Sequence, residues 1–63
     1  MWKQVNDEKW EGQKSRLGFK IVKKPIGRGQ FTYHGYKGPI YIANGKTLEA
    51  CQRNIDFWVK NHP

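Results

Sequence analysis

Between Leu17 and Lys23 the side chains alternate, Leu17, Phe19 and Ile21 pointing one way, Lys20 and Val22 the other. A period of two marks a half-buried strand. Pro25-Ile26-Gly27-Arg28-Gly29 interrupts it. A ring that fixes φ and two glycines free to take positive φ predict a hairpin loop with Arg28 near its tip. Gln30 to Tyr36 alternates again, Phe31 and Tyr33 on one face, Thr32 and His34 on the other with Tyr36 in step. Lys37-Gly38-Pro39 reads as the next turn. Ile40-Tyr41-Ile42-Ala43 reads as a third strand, Ile40 and Ile42 together and Tyr41 opposite, and Asn44-Gly45-Lys46 closes the sheet.

The period then changes. Leu48, Cys51, Ile55 and Trp58 recur at three- and four-residue spacing with Val59 beside them, which predicts a helix from about Leu48 with one apolar stripe. Thr47 is placed to cap it, its hydroxyl accepting from a first-turn amide, and Glu49 favours the positive end of the helix dipole. Glu49–Arg53 and Asp56–Lys60 are i,i+4 pairs with the acid first, the mark of a solvent face. The fold predicted for residues 17–61 is therefore α+β: a three-stranded antiparallel meander packed on one C-terminal helix. Phe19, Ile21, Phe31, Tyr33, Ile40 and Ile42 would meet Leu48, Cys51, Ile55 and Trp58 in its core. Residues 1–16 show no clear period and read as an N-terminal arm, irregular or carrying one short element.

Composition narrows the function. At 63 residues the chain is too short for several domains or an enclosed active site with its own core. No apolar run approaches the roughly 20 residues of a membrane span. Cys51 is alone, so no internal disulfide forms, and a lone thiol suits a reducing cytoplasm. The net charge of +7 is unevenly spread. Residues 1–12 sum to −1 and residues 47–63 to 0, whereas the 34 residues from Gln13 to Lys46 hold no acid and sum to +8. A one-signed segment of this density attracts polyanions.

With the helix on one face, the predicted sheet leaves the other open. That face would show Lys20, Val22, Lys24, Thr32, His34 and Tyr41, with Arg28 and Lys37 at the loops. Cations that neutralise phosphate, hydroxyl and imidazole groups that hydrogen-bond it, and a phenol ring together suit a nucleic acid. A short sheet is about as wide as a major groove, so duplex DNA is the favoured ligand. Catalysis finds no support. His34 has no acid near it in sequence, Cys51 falls on the apolar stripe, and Gly27-Arg28-Gly29 lacks the ending of a phosphate loop. Two His and one Cys without regular spacing make no metal site, and no cofactor motif is present.

The element order, Lys46-Thr47-Leu48-Glu49-Ala50 opening the helix and Asn54-Ile55-Asp56-Phe57 within it, resembles the arm-type N-terminal DNA-binding domains of phage and transposon tyrosine integrases. It is similar also to the plant ethylene-response-factor domain, in which a small sheet backed by a helix enters the major groove. The resemblance spans residues 17–60 and implies duplex-DNA binding through Lys20, Lys24, Arg28, Thr32, His34 and Tyr41. Without an integrase catalytic domain, it implies an accessory factor of a phage or mobile element, in the host cytoplasm when phage-encoded. The alternative is a protein-interaction module docking on an acidic host or phage protein through Tyr36, Tyr41 and an exposed Trp2. A small ribonuclease with His34 as base is a third reading. Trp2, Trp10 and Val59 offer a surface for a weak homodimer, against a monomer.

Overall fold

The computed structural model describes residues 2–62; Met1 and Pro63 lie outside the described residues. Five strands run in chain order: β1 (Trp2–Asn6), β2 (Lys9–Gly12), β3 (Phe19–Gly27), β4 (Gln30–Lys37) and β5 (Ile40–Gly45). A 3-10 turn, Lys14–Arg16, joins β2 to β3, and helix α1 (Leu48–Asn61) ends the chain. Every neighbouring pair is antiparallel, so the sheet is a meander of order β1-β2-β3-β4-β5. The α+β class and the C-terminal helix agree with the sequence reading. The sheet has five strands where three were expected, because residues 2–12 form a hairpin that extends it. At that hairpin's turn the Asn6 side-chain oxygen accepts from the Glu8 amide at 2.8 Å. Among the described residues no helix is long and apolar enough to cross a membrane.

Alternation sorts the side chains onto two faces. Phe19 and Ile21 face α1, and so do their β4 partners Lys37 and Gly35. The buried core is Phe19, Ile21, Cys51 and Ile55, rimmed by Trp2, Trp10, Tyr33, Ile42, Ala43, Leu48, Trp58 and Val59. Gly35 lets the helix come this close: a Cβ there would lie 2.7 Å from Ile55 Cδ1 and 2.9 Å from its Cγ1. Thr47 caps α1 as expected, its hydroxyl accepting from the Ala50 amide at 3.1 Å. Asp56, however, is taken by Arg16. Nη2 and Nε of that guanidinium donate to Oδ1 at 2.5 and 2.8 Å, pinning the 3-10 turn to the helix.

Two expected core residues are exposed. Phe31 is 43% and Ile40 61% accessible. Phe31 lies opposite Pro25 on the far part of the β3–β4 ribbon, away from the buried cluster. Ile40 sits beside the turn, because the register shifts within β5: Gly35 pairs with Ala43 but Tyr36 with Tyr41. Ile42 is the extra residue of that bulge and joins the core without Ile40.

The predicted loop at residues 25–29 also shrinks. β3 continues through Pro25 to Gly27, and Gly27 pairs with Gln30, leaving only Arg28-Gly29 as the turn. Lys23 donates its amide toward β2, to Glu8 O at 2.7 Å. Two residues on, the missing N–H of Pro25 faces the same side, beyond Lys9, the first residue of β2, so no ladder bond is lost. Arg28 and Gly29 both have positive φ, +54° and +74°, the geometry of a two-residue type I′ turn.

Candidate nucleic-acid interface

The face turned away from α1 is ordered in rows by the pairing register. One row crosses all five strands: Lys3, Glu11, Lys20, Tyr36, Tyr41. The next is Lys9, Val22, His34, Asn44, and beyond it stand Lys24 and Thr32. The face is thereby divided. Its cations, Lys3, Lys9, Lys20 and Lys24, lie on β1 to β3. Its rings, His34, Tyr36 and Tyr41, lie on β4 and β5.

The rings form one cluster. Tyr41 has its centroid 5.3 Å from His34 and 5.6 Å from Tyr36. Lys20 Nζ sits 5.5 Å from the Tyr36 centroid, a cation over a ring that joins the two halves of the face. Tyr41 is 49% exposed, and its hydroxyl accepts from Asn44 Nδ2 at 2.6 Å, which orients the ring against the sheet. Asn44 is held in turn through its backbone carbonyl, which accepts from Asn54 Nδ2 of α1 at 2.5 Å. The Thr32 hydroxyl donates to Gly45 O at 3.3 Å. Of the acids near this face, Glu11 lies 3.8 Å from Lys9 Nζ, and the β1–β2 turn brings Asp7 and Glu8 beside Lys9 and Val22.

Of the seven residues singled out from sequence, Lys20, Lys24, Thr32, His34 and Tyr41 share this face. Arg28 is at the tip of the β3–β4 hairpin, beyond the third row. Lys37 is not with them: its Nζ lies over the rings of Phe19 and Trp58, at 5.6 and 5.7 Å, on the helix side. Lys23 is likewise on the helix side, 4.2 Å from the Phe31 centroid, and Arg16 is spent on Asp56. The acid-free segment therefore divides its charge between both faces. The hairpin of residues 2–12, expected as part of an N-terminal arm, makes up the difference with Lys3 and Lys9. Tyr36, its ring in the open cluster, was also absent from the expected site.

His34 has Val22 and Asn44 as its cross-strand neighbours and Tyr41 against its ring. Among the described residues no group of three His, Cys, Asp or Glu side chains could hold a metal ion. Cys51 is fully buried on the core-facing side of α1, and burial pushes its thiol up to about 11. Trp2 packs against the core rim, which removes it as an exposed anchor. No family model, curated protein or solved structure matches this chain, so the functional reading rests on the geometry.

Proposed function

We propose that this is a small, non-enzymatic nucleic-acid-binding protein and that the open sheet face is its contact surface. The observation that carries the reading is the division of that face into a four-lysine half on β1–β3 and a three-ring half on β4–β5. Lysines on the sheet face neutralise phosphates, and the released counterions drive binding. The rings, His34 and Asn44 offer faces and hydrogen-bonding edges for bases. Glu11 reduces the field in one row, yet the face keeps a cationic excess. Arg28 at the hairpin tip extends the basic track beyond the sheet.

A salt titration by fluorescence anisotropy tests the reading. With four to five phosphate contacts, log K against log salt should fall with a slope of roughly −3 to −4. Replacing Lys20 and Lys24 by alanine should flatten it by about 1.5. Negligible affinity for single strands and duplexes alike at low salt overturns the proposal. A second reading, docking on a protein partner, draws on Phe57, which is 69% exposed beside the groove between α1 and β5. That reading predicts no oligonucleotide binding in the same titration.

A further inference from the structure

We infer that the ligand of the open face is a single strand, with two or three unpaired bases stacked on Tyr41, Tyr36 and His34 while its backbone follows Lys20, Lys9 and Lys24. This rests on the nucleic-acid reading above and names the strand state. Two observations carry it. The first is width. The duplex expectation assumed a three-stranded sheet narrow enough for a major groove about 12 Å wide. Five strands span four spacings, about 19 Å between outer strands, so the face as a whole does not enter a groove.

The second is the ring cluster. Tyr41 on β5 stands 5.3 Å from His34 and 5.6 Å from Tyr36 on the adjacent β4, and it is half exposed. In a duplex the faces of the bases are covered by their neighbours and cannot reach these rings. In a single strand they can, and stacking on aromatic side chains tolerates any base. The arrangement also fits the covalent geometry of a nucleotide, in which bases project to one side of the phosphate chain. Lysines occupy one half of the face and rings the other, and Lys20 over Tyr36 marks the seam.

The test compares a labelled mixed-sequence oligonucleotide of about 12 nucleotides, within the site sizes of such surfaces, with the duplex of the same sequence. Its ribose counterpart is a third arm. The single strand should bind about tenfold or more tightly than the duplex at equal salt. Tyr41→Ala should weaken single-strand binding about tenfold with the salt slope unchanged, and Tyr41→Phe, which keeps the ring, should restore it. Should Tyr41→Ala lose its fold by circular dichroism, wild-type NMR decides, with upfield ring-current shifts of the Tyr36 and Tyr41 ring protons expected on adding the single strand. Equal or tighter duplex binding overturns the inference and leaves nucleic-acid binding standing, and in that case Arg28 at the hairpin tip becomes the residue to truncate. An unaffected Tyr41→Ala, or unshifted tyrosine rings, also overturns it. Absence of binding to any oligonucleotide fails the broader reading and the inference with it.

Discussion

The open face exists only because α1 covers the other one, and Gly35 is where that seating can be tested. Replacing it with alanine places a methyl carbon 2.7 Å from Ile55 Cδ1, 2.9 Å from Ile55 Cγ1 and 3.4 Å from Cys51 Sγ. The first two are well inside contact distance, and both belong to a side chain with no exposure and no room to retreat. Overpacking of a tight core costs about 1–3 kcal/mol. Against it stands the lower unfolded-state entropy of alanine, worth roughly 0.4–1 kcal/mol. At the middle of these ranges the net is a loss of about 1.3 kcal/mol, or roughly 5–10 °C in Tm for a domain of this size. Ile55→Val removes the nearer atom and by itself costs about 0.5–1.5 kcal/mol. With that atom gone, the double variant Gly35→Ala/Ile55→Val should be more stable than the sum of the singles by at least about 0.5 kcal/mol. Thermal and urea unfolding followed by circular dichroism measure all four corners of the cycle. Strict additivity, or a Gly35→Ala protein more stable than wild type, would refute the seating of α1 over Gly35.

Three further outcomes follow from single residues. Arg28 holds a left-handed backbone that asparagine adopts more easily, so Arg28→Asn should leave stability unchanged or raise it by up to about 1 kcal/mol while weakening oligonucleotide binding; a loss of stability would show that the guanidinium serves the fold. Thr47→Ala removes the cap on Ala50 and should cost about 1 kcal/mol, read as a drop in urea midpoint at constant m-value. The Cys51 thiol, held near 11 when folded against an ordinary 9.0, keeps its proton longer than in the unfolded chain. Its contribution to stability should be complete below about pH 9 and should fall as pH rises through 9 toward 11, a trend absent from Cys51→Ala; a thiol reagent at pH 8 should react only on unfolding.

The helix, its cap and the two hairpins built on β3, β4 and β5 were legible because they carry strong local signals. These are a 3–4 spaced stripe, a hydroxyl before Leu48, and glycines at the turns. The β1–β2 hairpin was not. Along Trp2-Lys3-Gln4-Val5, apolar Trp2 shares a face with polar Gln4 while apolar Val5 breaks the other, so alternation in position does not become alternation in polarity. The usable signal was the Asn6-Asp7 turn between the two tryptophans. Half the site went unseen with that hairpin, since Lys3 and Lys9 reach the face only through it. Lys37 shows the opposite case: it shares parity with Phe31 and Tyr33, which already placed it on the helix side. The β5 bulge, which parts Ile40 from Ile42, left no mark in composition, being set by where the Tyr36–Tyr41 pair closes against the turn.

A backbone and side-chain NMR titration of the folded protein with a short single-stranded oligonucleotide at low salt tests most directly whether the open sheet face binds nucleic acid. Shifts should be confined to the open face and its hairpin tip, at Lys3, Lys9, Lys20, Lys24, Arg28, His34, Tyr36, Tyr41 and Asn44, with the indole signals of Trp10 and Trp58 on the helix side unmoved. Shifts concentrated around Phe57 and Trp58, or none at all, would contradict it.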